Sequence, residues 1–204
     1  MKLYQSIGPN PRAVKMFIAE KGIDVPRQDI DLMGAENRRA PYTSKNPAGQ
    51  SPCLELDDGS HLSEITAICE YLEEKHPNPP LIGATPEQRA ETRMWTRRVD
   101  LKICEPLANG FRFSEGLQLF KDRLLTVPEA AAGLKSMAKD GETWLETNFK
   151  GPWLAGSRFT LADILLFSFI DFGGQVGQPL DPGFKSLTAW FERVKARPSA
   201  AASA

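Results

Sequence analysis

The stretch "NPAGQSPCLELDDGSHLSEITAICEYL", residues 46–72, carries the clearest structural pattern in this sequence of 204 residues. Apolar and polar residues alternate at positions 54–56, which predicts a strand, and the pair Asp58-Gly59 is typical of a two-residue hairpin turn. From Ser63 to about Lys75, apolar residues recur at the three- and four-residue spacings of an amphipathic helix. The stretch therefore predicts a β-hairpin that is followed directly by a helix.

The residues before this stretch predict two further strands separated by a helix. Residues 2–7 form a short apolar run that is typical of a buried strand. The next segment, "GPNPRAVKMFIAEKG", predicts a helix with Asn10 as its N-cap, Pro11 at the first helical position and Gly22 at its end. Residues 27–33, "RQDIDLM", alternate and predict a second strand, which is parallel to the first because a helix connects them.

The pattern changes from mixed to helical about one third of the way along the chain. A short helix is expected within the polar residues 34–50, so the first part predicts the order β-α-β-α-β-β-α, a mixed sheet covered by helices. The proline-rich stretch "HPNPPLIGATP" predicts a linker, and only helical patterns follow it, ending in an Ala/Ser tail (199–204) that is expected to fray. The sequence predicts an α/β domain over 1–76, a linker over 77–86 and an all-helical domain over 87–204.

Composition argues against several classes of protein. The net charge is −1 with acids and bases intermixed, so no basic surface for nucleic acid is expected. The longest apolar run, Ile164–Ile170, is too short to span a membrane, and the N-terminus lacks the apolar segment of a signal peptide. The three cysteines, Cys53, Cys69 and Cys104, include no C-x-x-C pair, which argues against a disulfide scaffold or a metal site and favours a reducing cytoplasm.

Four local patterns occur in a characteristic order: "NPAGQSP" before the hairpin, "SEITAICEYLEEKHP" after it, the proline-rich linker, and "SRFTLADILL" in the helical half. With them, nearly the whole chain resembles the soluble glutathione transferases, in particular a bacterial and fungal-like subgroup. The resemblance implies a thioredoxin-like α/β domain followed by an all-α domain. It also implies a cytoplasmic homodimer that acts in detoxification, with glutathione as co-substrate and no metal.

The resemblance further implies which residues bind glutathione. Pro52 would be preceded by a cis peptide bond, and Ser51 would offer its main-chain N–H and C=O to the cysteinyl part, with Gln50 holding the peptide nearby. Glu64 would bind the γ-glutamyl ammonium, while Ile65 stands where the family usually has Ser or Thr, so only N–H groups remain for the carboxylate. Without the resemblance, "NPAGQSP" is also compatible with a plain turn, and Glu64 with an acid that stabilises a helix.

Two further pairs of residues follow from the same resemblance. Asn37 and Arg38 fall where many family members carry a His-Lys pair that faces the glycyl carboxylate, and Arg pairs well with carboxylates. A solvated position in a loop is the alternative for both. Thr160 and Asp163 in "SRFTLADILL" predict a capping box, which we assign to folding rather than to catalysis.

The family ionises the thiol of bound glutathione, most often with a Tyr, Ser or Cys at the first strand–helix turn. Here Asn10 occupies that position, in "GPNP", much as in nu-class relatives. We expect Asn10 and the main-chain N–H groups of Arg12 and Ala13 to hold the thiolate, and a role for Asn10 as N-cap alone is the alternative. Ser6 and Tyr4 are reserve hydroxyls, of which Tyr4 is more typical of a core residue.

The helical domain would form the electrophile site through Phe111 and Phe113, with Arg112 or Ser114 as a further donor for a water near the thiol. Aromatic residues at such spacings are also typical of a core. The resemblance thus predicts a glutathione transferase that conjugates hydrophobic electrophiles. Two alternatives stay open: a glutathione-dependent disulfide or peroxide reductase, and a non-catalytic protein that binds glutathione or hydrophobic ligands.

Overall fold

The computed structural model describes every residue from Met1 to Ala204 and divides into two compact units. The first unit comprises Met1–Pro80 together with Pro198–Ala204, and the second comprises Leu81–Arg197. The C-terminal segment therefore packs with the first unit, whereas the sequence assigns it to the helical part.

The elements follow the predicted order. In the first unit they are β1 (Lys2–Gln5), α1 (Pro9–Lys21), β2 (Arg27–Asp29), a 3₁₀ turn (Glu36–Arg38), α2 (Tyr42–Lys45), β3 (Cys53–Glu55), β4 (His61–Ser63) and α3 (Ile65–Lys75). The second unit contains α4 (Pro86–Val99), a π-helical turn (Asp100–Cys104), α5 (Glu105–Arg112), α6 (Leu117–Phe120), a 3₁₀ turn (Pro128–Ala130), α7 (Ala131–Asn148), α8 (Leu161–Gln175) and α9 (Lys185–Lys195). A last helix, α10 (Pro198–Ala202), returns to the first unit. The predicted fold class, an α/β part followed by a helical part, is confirmed. None of these helices combines the length and apolar character that a membrane crossing requires.

The sheet of the first unit has four strands in the order β2-β1-β3-β4. β1 pairs in parallel with β2, with Leu3 opposite Arg27, which confirms the predicted β-α-β unit. On its other side β1 pairs antiparallel with β3, with Tyr4 opposite Cys53. β3 in turn pairs antiparallel with β4, with Cys53 opposite Ser63. Cys53 therefore lies between β1 and β4, and this register positions the site described below.

The hairpin between β3 and β4 differs from the prediction. The Leu56 N–H donates to the Ser60 carbonyl at 2.8 Å, so three residues rather than two form the loop. The Gly59 N–H donates to the Leu56 carbonyl at 3.1 Å, and Gly59 has a φ of +84°. This is a type I turn closed by a glycine in a left-handed conformation, the usual form of a three-residue hairpin loop. The prediction of a two-residue turn is wrong because the additional residue, Asp57, precedes the Asp-Gly pair within the loop.

Helix α1 begins one residue before the predicted N-cap. Gly8 is the N-cap and Pro9 the first helical residue, so the predictions that Asn10 is the N-cap and Pro11 the first position are wrong. The first turn of a helix has no internal acceptors for its N–H groups, so it tolerates two prolines without losing a hydrogen bond. Asn10 therefore lies inside the first turn and its side chain makes no cap.

The C-terminal tail is ordered, and the prediction that it frays is wrong. Ser199 and Ala200 are buried, and α10 packs against α1. The Ser199 hydroxyl donates to the carboxylate of Glu20 on α1. Small side chains let the two helices approach closely, so a segment that looks unstructured by composition becomes part of the first unit.

The second unit is built around α8, which is buried from Leu161 to Ile170. At its start the Thr160 N–H donates to Asp163 Oδ2 at 2.9 Å, which confirms the predicted capping box. Asp163 Oδ1 also accepts hydrogen bonds from the Leu154 N–H and the Trp190 indole N–H, both at 2.9 Å. Burial raises the pKa of Asp163 to about 6. Because its oxygens are occupied by donors of this unit, the assignment of Asp163 to folding is confirmed.

Candidate functional site

Three chain segments meet at one edge of the sheet. Because Cys53 pairs with Tyr4 on one side and with Ser63 on the other, the residues just outside these pairs lie at the same edge. They are the segment that leaves β1 and enters α1, the Ser51-Pro52 turn that enters β3, and the residue that joins β4 to α3. Neighbouring strands are about 4.8 Å apart, so these segments lie within reach of one tripeptide. The Ser51-Pro52 turn lies in the middle because β3 is the central strand of the three.

The free N–H groups at the N-terminus of α1 are not the ones that the sequence predicts. The Arg12 N–H donates to the Gly8 carbonyl at 3.3 Å, so the prediction that it is a free donor is wrong. The regular pattern of the helix likewise directs the Ala13 N–H to the Pro9 carbonyl. Pro9 and Pro11 have no N–H, which leaves the main-chain N–H groups of Gly8 and Asn10 without an acceptor in the protein.

The Asn10 side chain is half-buried and makes no hydrogen bond within the protein. Both its amide NH₂ and its oxygen are therefore available to a ligand, since neither is used for capping. Among the reserve hydroxyls, Ser6 is half-buried and contacts the Ile7 carbonyl at 3.3 Å. Tyr4 is buried, and its hydroxyl donates to the Glu55 carboxylate at 2.6 Å. Tyr4 is thus a core residue, as predicted, and Asn10 is the unoccupied polar side chain at this turn.

The Ser51-Pro52 peptide bond is cis, as the resemblance implies. Neither the N–H nor the C=O of Ser51 makes a hydrogen bond with the rest of the protein, although the residue is largely buried. The preceding residue, Gln50, is exposed, while its carbonyl accepts a hydrogen bond from the Tyr42 hydroxyl. Main-chain groups of a largely buried residue are usually paired, so the unpaired N–H and C=O of Ser51 point to a ligand there.

The loop before Ser51 is held by side chains that the sequence assigned to another role. Asn37 is 3% exposed, and its amide donates to the Gly49 carbonyl at 2.6 Å. The structure therefore argues against the expectation that Asn37 faces a glycyl carboxylate, because the side chain is buried and its amide already donates to this loop. Arg38 is half-buried and donates to the Ala48 carbonyl at 3.3 Å, so it also contacts this loop.

Glu64 joins β4 to α3, and its conformation is unusual. Ser63 is the last residue of β4, so α3 begins at Ile65 rather than at the predicted Ser63, with Glu64 as the N-cap. Glu64 has a φ of +70°, which costs a non-glycine residue on the order of 1–3 kcal/mol. Its exposed carboxylate makes no cap and no hydrogen bond, so stabilisation of α3 does not account for it. Backbone strain of this kind concentrates at functional sites.

The N-terminus of α3 offers donors for an anion. The first internal bond of the helix is the Ile68 N–H to the Glu64 carbonyl at 3.0 Å. The N–H groups of Ile65, Thr66 and Ala67 precede it and have no acceptor within the helix. The N–H groups of Ile65 and Thr66 therefore lack an acceptor within the helix, and their contact with a carboxylate stays a prediction.

The residues predicted for the electrophile site lie at the end of α5 in the second unit. Phe111 packs edge-on against Phe172 and Phe120, with ring centroids 5.1 and 6.2 Å apart. Arg112 donates to the Asn109 side chain at 2.9 Å. Phe111 is therefore part of an aromatic cluster, which agrees with the alternative interpretation of these spacings as packing. Phe113 and Ser114 are half-buried, and the Ser114 hydroxyl contacts the Gly110 carbonyl.

Sequence reasoning missed two residues near the site, Tyr42 and Asn46. Both donate to the Gln50 carbonyl, Tyr42 at 2.5 Å and Asn46 at 2.8 Å. The Asn46 oxygen also accepts the Ala48 N–H at 3.1 Å, the side-chain turn that asparagine commonly forms. The Asn at the start of "NPAGQSP" was a signal for this turn, whereas nothing local indicated the Tyr42 contact.

Comparison with known proteins gives a consistent result. Residues 7–75 match the family model described as "Glutathione S-transferase, N-terminal domain", and residues 126–198 match "Glutathione S-transferase, C-terminal domain". Glutathione S-transferase 2 of Saccharomyces cerevisiae is 30% identical over 200 residues, which cover 94% of this chain and 84% of that protein. The crystal structure of Gtt2 from Saccharomyces cerevisiae aligns with a TM-score of 0.93 at 30% identity, covering 100% of both chains. A glutathione S-transferase domain-containing protein from Marinobacter aquaeolei VT8 aligns with a TM-score of 0.91 at 33% identity, covering 98% of this chain and 99% of the other.

Proposed function

Because this chain belongs to the glutathione S-transferase family, we propose that it binds glutathione at the sheet edge described above and conjugates it to hydrophobic electrophiles. The observation that carries the proposal is the main chain of Ser51, which is largely buried and has no partner in the protein. An extended peptide supplies one N–H and one C=O per residue, and these are the partners that the C=O and N–H of Ser51 lack within the protein.

Each part of glutathione would have a complementary group near the sheet edge. The cysteinyl residue would pair with Ser51 on the central strand. The γ-glutamyl group would extend toward α3, where Glu64 would face its ammonium and the N–H groups of Ile65 and Thr66 would face its carboxylate. The thiol would extend toward α1 and Asn10. Arg38 is the remaining candidate for the glycyl carboxylate, since Asn37 is buried.

The chemistry requires a thiolate. A free thiol has a pKa of about 8.5, and lowering it by about two units takes roughly 2.7 kcal/mol of preferential thiolate stabilisation. The side-chain amide of Asn10 would donate to sulfur. The main-chain N–H groups of Gly8 and Asn10 would add to the field of the helix N-terminus. The thiol proton passes to solvent, and the sulfur lone pair forms the new S–C bond. The leaving group of the electrophile then departs with its own electron pair.

The remaining features of the proposal rest on family membership. The helical unit would supply the electrophile contacts, with Phe113 and Ser114 as candidates that are not enclosed in a core. A homodimer is proposed on the same basis, and sedimentation of the purified protein tests it. The three free cysteines are buried, which is consistent with a reducing cytoplasm as the proposed location and with detoxification as the proposed role.

Three assays on the wild-type protein separate the candidate functions. With glutathione present, we expect turnover of a generic aryl halide that exceeds turnover of a hydroperoxide or of a small disulfide. Faster turnover of the hydroperoxide or the disulfide would identify reduction, and not conjugation, as the function. Calorimetric binding of glutathione without turnover of any of the three would instead identify a binding protein. Absence of glutathione binding would refute the proposal as a whole.

A further inference from the structure

One carbonyl next to the proposed glutathione site is held by two side chains at once. The Gln50 carbonyl accepts hydrogen bonds from the Tyr42 hydroxyl at 2.5 Å and from the Asn46 amide at 2.8 Å. A carbonyl oxygen has two lone pairs, so this acceptor is saturated. Ala48 and Gly49, the two residues before Gln50, also have their carbonyls bound by side chains. The loop is therefore fixed up to the residue that precedes Ser51.

The orientation of this carbonyl decides where the next N–H points. The Gln50-Ser51 peptide bond is trans, since the cis bonds of the chain all precede prolines. In a planar trans peptide the N–H points opposite to the C=O. The Ser51 N–H is therefore directed away from Tyr42 and Asn46. It is the N–H that has no partner in the protein, although Ser51 is only 9% exposed.

Both donors are rigid. Tyr42 is 3% exposed and packs in a core cluster with Tyr4, Ile30 and Cys53. Burial raises the pKa of the Tyr42 hydroxyl above its usual value, so it remains a donor at neutral pH. Asn46 is 2% exposed, and its oxygen is held by the Ala48 N–H. The pair therefore forms a fixed support behind the Gln50-Ser51 peptide plane.

We propose that Tyr42 and Asn46 are positioning residues for glutathione, because they hold the Gln50 carbonyl and thereby aim the Ser51 N–H at the cysteinyl carbonyl of the ligand. The inference rests on the proposed function and deepens it. Neither side chain touches the ligand. Their contribution is that the peptide plane is oriented before binding, so that no conformational freedom is lost when the hydrogen bond to the ligand forms.

The test uses two nearly isosteric substitutions. Tyr42→Phe removes the hydroxyl donor and keeps the ring in its core cluster. Asn46→Asp keeps the oxygen that accepts the Ala48 N–H but replaces the amide donor with a carboxylate oxygen. Tyr71→Phe is the matched control, since Tyr71 is a half-buried tyrosine of the same unit whose hydroxyl makes no hydrogen bond.

The readout is the calorimetric Kd of two ligands for each protein. One ligand is S-methylglutathione, and the other is its thioamide analogue, in which sulfur replaces the cysteinyl carbonyl oxygen and accepts hydrogen bonds poorly. We expect the wild type and Tyr71→Phe to prefer the oxygen ligand by about 3- to 10-fold, the range of one neutral hydrogen bond. Tyr42→Phe and Asn46→Asp are expected to bind the oxygen ligand about 3- to 10-fold more weakly and to lose most of this preference.

The outcomes separate this inference from the proposed function. If the variants weaken both ligands equally and keep the full preference, Tyr42 and Asn46 only stabilise the fold and the positioning role is overturned. Tyr42→Phe alone decides the question if Asn46→Asp does not fold. If the wild type binds neither ligand, the proposed function fails together with the inference. If the wild type binds both ligands equally, the Ser51 N–H does not meet the cysteinyl carbonyl, and only the inference fails.

Discussion

Replacement of Asn10 by alanine is the most direct perturbation of the proposed thiolate site. Because Gly8 is the N-cap of α1, the substitution removes no cap and places a good helix former in the first turn. We therefore expect the free energy of unfolding to stay within about 0.5 kcal/mol of the wild-type value. Any large effect on catalysis then comes from the lost amide rather than from a damaged helix.

The expected magnitude follows from the donors at this turn. Prolines remove two of the N–H groups of the first turn, so the helix end provides only the N–H groups of Gly8 and Asn10 beside the Asn10 amide. A hydrogen bond to an ion contributes about 1.5–3 kcal/mol, whereas the helix N-terminus adds about 0.3–1 kcal/mol, up to ~2 when partly buried. The side chain is thus the larger contributor. Its loss is expected to raise the pKa of the bound thiol by about 1–2 units.

The assay is the pH dependence of kcat/KM with an aryl halide, together with the ultraviolet absorbance of the thiolate in the binary complex. Asn10→Ala should move both profiles to higher pH, so that activity falls near neutrality and recovers in alkaline solution. Asn10→Asp is the matched control, because it suits the first turn of a helix but places a negative charge beside sulfur, and should raise the pKa further. Superimposable profiles for wild type and Asn10→Ala would refute the role of the side chain. A decrease in kcat/KM of equal size at every pH would show that Asn10 does not act by lowering the pKa of the thiol.

Three further predictions follow from other parts of the structure. Glu64→Gly should relieve the strain of the positive φ and raise the free energy of unfolding, measured by chemical denaturation, by about 1 kcal/mol. The variant should also bind glutathione more weakly in calorimetry. If its affinity for glutathione lacking the α-amino group falls equally, an ammonium contact is contradicted. Gly141→Ala should lower the free energy of unfolding by about 1–3 kcal/mol, because a Cβ there would lie 2.3 Å from the Lys102 carbonyl oxygen. Gly133→Ala on the same helix would place a Cβ with no atom within 4 Å, and it should raise the free energy of unfolding by up to about 1 kcal/mol. If both substitutions lower the free energy of unfolding only slightly, α7 can shift to accommodate the added Cβ atom, and the steric argument is contradicted. Burial raises the pKa of Cys53 to about 11, so its thiol should react with a disulfide reagent at neutral pH only after denaturation; prompt reaction of the native protein would contradict its burial.

The element order was predictable because the signals that define it are local. Turn residues and apolar periodicity placed the strands, the hairpin and most helices within a few positions of their observed bounds. The capping box at Thr160 and Asp163 was predictable for the same reason, since its two residues are three apart on one turn of helix. The starts of α1 and α3 were predicted at the wrong residues, because several adjacent residues are compatible with a cap.

Contacts between distant residues account for the errors. Asn37 has the chemistry of a ligand contact, but packing turned it inward to the Gly49 carbonyl. The tail at 199–204 has a composition typical of a frayed end, yet α1 offers it a surface. Tyr42 carries no local sign that its hydroxyl reaches Gln50. Each of these outcomes depends on which surfaces the fold brings together, and periodicity contains no information on that point.

Local sequence was enough to predict an α/β half with a hairpin followed by a helix and an all-helical half, and it singled out Ser51 and Glu64 as candidate site residues. Their convergence was decided by tertiary structure, because it depends on strand register: Cys53 pairs with Tyr4 on one side and Ser63 on the other. A shift of that register by one residue would turn the side chains of β3 to the opposite face and separate these segments. Asn10, Ser51 and Glu64 are far apart along the chain, and they approach one another only because hydrogen bonds between strands align the ends of β1, β3 and β4 at one edge of the sheet.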